Sequence, residues 1–221
     1  VPFDGEHQAG IATPAQANLN LIGFNFVDGV DRGAVSRLMT SWSEDSRRLC
    51  TGETPLGSLE PELVVAPANL TVTCGFGPRV FEVIDAVDKR PDWLRPLPEY
   101  KLDQLDEKWG QTDLVIQVCS DDPTMLSHAT RHLVRSGMDY ARVHWMQQGF
   151  LRADGAHTPG ETPRNLFGQV DGTVNPREEE QFDEQVWIGD DTPEWMQGST
   201  SMVLRRINMN MDTWEMLDRP S

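Results

Sequence analysis

A chain of 221 residues is long enough for one large domain or two small ones, each able to bury a core. Its hydrophobic content of 38%, with seven Trp and eight Phe, excludes a disordered chain, which would be poor in aromatics. Thirty-five acidic against nineteen basic side chains give a formal net charge of −16, which repels phosphate backbones and anionic lipid and argues against nucleic acid or a membrane surface as partner.

Leu19 to Val27 alternates apolar and polar residues, the period of a half-buried strand, and Asp28-Gly29 ends it. Asp31 then caps a helix whose apolar positions, Ala34, Val35, Leu38, Met39 and Trp42, recur at three and four residues. Pro55, Gly57 and Pro61 mark an irregular connection. Leu70 to Cys74 reads as a second strand ended by Gly75-Phe76-Gly77-Pro78, with a short helix over Arg79 to Val87. The proline-rich, charged residues 88–112 read as an insertion. Leu114 to Cys119 is a β-branched third strand.

Asp122-Pro123 starts a helix that runs to about Ser136, where Gly137 closes it, and Ala141 to Phe150 supplies a fourth strand. This strand-helix-strand-strand-helix-strand order is the ferredoxin-like one, an α+β unit spanning residues 1–152. The stretch Ala153 to Pro163 is rich in Gly and Pro and reads as a linker opening a second domain, 153–221. There Ser199 to Asn208 is expected to be a strand and Met211 to Leu217 a helix, the opening of a second ferredoxin-like unit. That unit lacks its remaining elements, so the chain is expected to be incomplete, with a C-terminal segment elsewhere.

Cys50, Cys74 and Cys119 are odd in number and lack CxxC spacing, so neither a disulfide framework nor a zinc site is indicated. Buried free thiols are expected, with Cys74 and Cys119 in strands. His128 and His132 have the i, i+4 spacing that can chelate a metal. The apolar face drawn by Leu126, Ala129, Leu133 and Val134 places them toward solvent instead, and no third ligand is near in sequence. Arg205-Arg206 is expected to make surface ion pairs, with an inward guanidinium as the alternative, and Trp214 is expected to pack in a core.

Asp171-Gly172 and Asn175-Pro176 are turn signals taken singly. Taken together, Gly168-Gln169-Val170-Asp171-Gly172 followed by Thr173-Val174-Asn175-Pro176 resembles the GxxDG motif of the dye-decolorizing peroxidases. His7-Gln8-Ala9-Gly10-Ile11, Gly75-Phe76-Gly77-Pro78-Arg79 and Val186-Trp187-Ile188-Gly189 are similar to the exported bacterial branch of that family.

The resemblance implies two ferredoxin-like domains enclosing heme b, with hydrogen peroxide and an aromatic or phenolic reductant as substrates. It implies Asp171 as the acid-base residue over the heme and Gly172, Thr173 and Val174 as part of the heme wall. The iron-ligating histidine and a distal arginine are expected beyond residue 221, since His7, His128, His132, His144 and His157 all precede Asp171. The same resemblance implies export by a twin-arginine route, with a signal already removed before Val1, and leaves oligomerisation open. Two alternatives stand beside the peroxidase. One is a heme-binding or iron-releasing, deferrochelatase-like protein on the same fold. The other is a chain active only when paired with its C-terminal segment.

Overall fold

A computed structural model describes residues 1–152, 155, 156, 158 and 160–218. Two compact units divide the chain, Val1–Asp154 and Gly155–Ser221. Ala153, Asp154, His157 and Pro159 of the expected linker lie outside the described residues.

The first unit contains strands β1 (Asn18–Phe26), β2 (Thr71–Phe76), β3 (Leu114–Ser120) and β4 (Ala141–Phe150), with helices α1 (Arg32–Thr51), α2 (Arg79–Val83) and α3 (Pro123–Ser136). The strands pair antiparallel in the order β2-β3-β1-β4, the ferredoxin-like arrangement. Alternation makes one face apolar: Ile22, Phe24 and Phe26 of β1 and Leu114, Ile116 and Val118 of β3 are all buried. Helices α1 and α3 pack on one another and on the sheet, closing this face with Leu38, Leu49, Met125 and Leu133. Each such fully buried side chain stabilises the unit by roughly 1.5–3 kcal/mol relative to exposure. Trp42 joins the layers, since its indole Nε1 donates to the Leu133 carbonyl at 2.9 Å and its ring lies 5.2 Å from that of Phe24.

Helix limits follow from side-chain caps. The Asp31 carboxylate accepts from the Ala34 amide, and that of Asp122 from the amides of Thr124 and Met125, with Pro123 at the first turn. Strand β2 runs two residues past the expected end, because Gly75 and Phe76 still pair with Val115 and Leu114. Helix α2 is shorter than expected and stops at Val83.

Two of the sequence motifs close the rims of this sheet. Gln8 donates to the Cys74 carbonyl at 3.0 Å and accepts from the Cys74 amide at 2.9 Å, covering backbone that an additional strand would otherwise pair. Gly77 sits so close to the Thr112 carbonyl that a Cβ there would collide with it, and its amide donates to the Asp113 carbonyl at 2.7 Å. Arg79 then pairs with the buried Asp113 carboxylate, which also accepts from the Phe26 amide at 2.8 Å. Gly75-Phe76-Gly77-Pro78-Arg79 is thus a clasp between the end of β2 and the start of β3.

All three cysteines carry free thiols. Cys119 in β3 and Cys50 at the end of α1 are buried, while Cys74 in β2 is half-buried. Burial pushes the thiols up to about 11 for Cys50, about 12 for Cys74 and about 11 for Cys119.

In the second unit, α4 (Glu179–Gln185) begins with a reciprocal capping box between Glu178 and Gln181. Phe182 stacks on Trp187 with ring centroids 6.3 Å apart. Backbone bonds from Ile188 to Ser199 and from Gly198 to Ile188 close a loop that contains the buried Met196. Residues 199–208 form no strand. They have the apolar content of one, but Met202, Val203, Leu204 and Ile207 are exposed, and no strand pairing among the described residues includes them. The short helix α5 (Met211–Glu215) follows.

Candidate active site

The stretch singled out by its motif, residues 163–176, folds as a tight reversal organised by Asn165. The Asn165 amide donates to the Gln169 carbonyl at 3.0 Å, and its carbonyl accepts from the Gly168 amide at 2.9 Å. Its side-chain Oδ1 accepts from the amides of Phe167 and Gln169 at 3.0 and 3.2 Å. Short Asn side chains favour such turns because they bond backbone two residues on. An antiparallel bridge between Arg164 and Val170 closes the reversal, and the Arg164 guanidinium donates to the Gly168 carbonyl at 2.7 Å.

Asp171 leaves this turn on a backbone bond from its amide to the Pro163 carbonyl, 2.9 Å. The Asn165 Nδ2 donates to its Oδ2 at 3.3 Å, and the residue is otherwise exposed. Gly172 has φ of +92°, a conformation open to glycine at little cost, and redirects the chain so that Thr173 and Val174 are exposed directly after it. A Cβ on Gly172 would also lie 2.8 Å from the Asn175 Nδ2, while the Asn175 amide closes the turn onto the Gly172 carbonyl at 3.3 Å. The expected site residues, Asp171, Gly172, Thr173 and Val174, therefore form one continuous exposed element. Such an element can hold a carboxylate beside a bound molecule and offer it apolar contact.

Nearby, the rings of Phe167 and Trp214 lie 4.9 Å apart, tilted by 59°. Trp214 is 37% exposed, so the core role expected for it is corrected: it pairs with one aromatic neighbour at the surface. Arg205 and Arg206 are both exposed, since the strand whose alternation would have turned one of them inward is absent.

The largest departure from expectation lies in the first unit. His128 and His132 are buried rather than facing solvent, at 2% and 4% exposure. The His128 Nδ1 lies 3.2 Å from Glu60 and the His132 Nε2 lies 3.0 Å from Asp45, with Arg131 also reaching Glu60 at 3.3 Å. Burial holds the His128 imidazole below its ordinary range, against the opposing pull of the Glu60 carboxylate. No group of three or more His, Cys, Asp or Glu among the described residues is arranged to hold a metal ion.

The family model for the N-terminal domain of Dyp-type peroxidases matches residues 8–151, and the model for their C-terminal domain matches residues 162–219. The chain belongs to the Dyp-type peroxidase family. It is 37% identical over 224 residues to the dye-decolorizing peroxidase of Thermobifida fusca (strain YX), an alignment covering 96% of this chain and 52% of that protein. To a deferrochelatase of Shigella flexneri it is 32% identical over 229 residues, covering 97% and 54%. It superposes on a crystal structure of a DyP-type peroxidase from Cellulomonas bogoriensis with a TM-score of 0.94 at 44% identity, covering 99% of this chain and 61% of that one. The chain thus spans about half the length of the curated relatives it matches, and in this Dyp-type peroxidase chain the 163–176 reversal lies within the part matched by the C-terminal model.

Proposed function

We propose that this chain works as part of a heme b peroxidase in which Asp171 is the acid-base residue. The observation that carries the reading is the exposed Asp171 carboxylate, tethered at one oxygen by Asn165 and followed by a Cβ-less turn and two exposed side chains. A flat macrocycle calls for a wall that backbone can approach closely and a proton-carrying group beside it, and residues 171–174 have that chemistry. They do not include an iron ligand. The iron-ligating histidine that the family resemblance implies is proposed to lie beyond residue 221.

Bound heme would supply the electrons that reduce hydrogen peroxide and regain them one at a time from an aromatic or phenolic reductant. Asp171 would take the proton from one peroxide oxygen and return it to the other, which leaves as water. Its Oδ1, which Asn165 does not engage, is the atom available for that transfer. Thr173 and Val174 would contact the macrocycle.

Asp171→Asn in the full-length, heme-loaded protein is expected to slow the peroxide-dependent change of the heme absorption spectrum by about 10²–10⁴-fold without loss of heme. A rate equal to that of the unaltered protein would overturn the role of Asp171. The deferrochelatase relative supports a second reading, heme binding with release of iron. Metal-free porphyrin fluorescence appearing without oxidation of an anthraquinone dye would select it. Export to the periplasm or the outside of the cell by a twin-arginine route belongs to the same proposal, and fractionation of the producing cell tests it.

A further inference from the structure

We propose that Asn165 is a positioning residue, fixing which oxygen of Asp171 meets the peroxide; the proposal rests on the peroxidase reading above. Asn165 uses both its backbone groups and both its side-chain polar atoms within one loop, and these bonds fall into two classes. Three of its polar groups build the turn: the amide, the carbonyl and the Oδ1. The fourth, Nδ2, donates to Asp171 Oδ2 at 3.3 Å and has no part in the turn.

The chemistry of that fourth bond suits proton transfer. An exposed Asp would otherwise sample several rotamers and offer either oxygen. A donor on Oδ2 selects one orientation and leaves Oδ1 as the oxygen that Asn165 does not occupy. The second tether, from the Asp171 amide to the Pro163 carbonyl, fixes the backbone from which the carboxylate projects. Asparagine suits the position because it carries one acceptor and one donor on a side chain short enough for the turn.

Asn165→Asp separates the two functions. The variant keeps an oxygen to accept from Phe167 and Gln169, so the turn persists, but it replaces the donor by a carboxylate oxygen facing that of Asp171. Two carboxylates that close resist joint ionisation. In the full-length heme-loaded protein we expect three results. Amide hydrogen exchange across residues 164–172 matches that of the unaltered protein. The reaction with peroxide slows by roughly 10- to 100-fold. The acid limb of its pH profile moves to higher pH.

An infrared readout is independent of turnover: the carboxylic-acid band that vanishes in Asp171→Asn should titrate at higher pH in Asn165→Asp. Asn165→Ala, which loses the Oδ1 acceptor together with the donor, should in addition lose protection at the Phe167 and Gln169 amides. An unchanged pH profile and infrared titration in Asn165→Asp would overturn the proposal, as would loss of loop protection in that variant. If Asp171→Asn reacts with peroxide at the unaltered rate while the infrared coupling to residue 165 persists, the peroxidase role of Asp171 fails and the tether stands.

Discussion

The sheet and helices of residues 18–150 are fixed by partners far away in sequence, whereas the 163–176 reversal is fixed by bonds between near neighbours. In the first region β1 pairs with β3 and β4, ninety or more residues distant, and a shared apolar face closes under α1 and α3. In the second, a single asparagine, two glycines with positive φ and one bridge suffice, and the chemically useful side chains stay exposed. Stability resides in the first arrangement, and the second carries the reactivity proposed for Asp171. A buried layer spreads the effect of a change over many contacts, while a self-bonded turn concentrates it on a few atoms.

Substitutions should separate the two. Leu49→Ala removes a fully buried side chain of α1 and is expected to destabilise the protein by about 2–5 kcal/mol, read from the urea midpoint, with the exchange of the 164–172 amides unchanged under native conditions. Coupled loosening of the turn would break the contrast. Gly172→Ala forces a Cβ into a left-handed conformation and toward Asn175, a local strain of about 1–3 kcal/mol. It should leave the urea midpoint of the first unit in place while slowing the peroxide reaction, and a reaction at the unaltered rate would show that the turn tolerates rearrangement.

Acid should distinguish the regions more gently. Because burial lowers the His128 imidazole from 6.5, the unfolded chain takes up its proton first. The stability it supports is complete above that value and declines as pH falls below it. The urea midpoint should therefore drop between about pH 7 and pH 5 by more in the parent than in His128→Gln, and equal drops would remove His128 from the account.

Much of the first unit is legible in its sequence because its signals are local. Alternation marks β1 and β3, and Asp122-Pro123 with Gly137 sets the ends of α3 to the residue. The histidine pair is misread for the opposite reason. Its partners, Asp45 on α1 and Glu60 in the connection between α1 and β2, are brought to α3 by tertiary packing, and a helix covered by both a sheet and a neighbouring helix buries a wider sector than its aliphatic residues outline. Residues 199–208 show the limit of composition, since their apolar side chains stay exposed and join no sheet among the described residues. At the candidate site the motif points to Asp171 through to Val174, but nothing in it distinguishes Asn165 from an ordinary turn residue. That role depends on where its amide nitrogen points once the turn has closed.

The buried thiols have a consequence for a protein proposed to meet peroxide. Oxidation of cysteine proceeds through the thiolate, and with their ionisation pushed to about 11, the buried Cys50 and Cys119 stay protonated at neutral pH. The scaffold can therefore carry these two sulfurs through exposure to an oxidant as packing material.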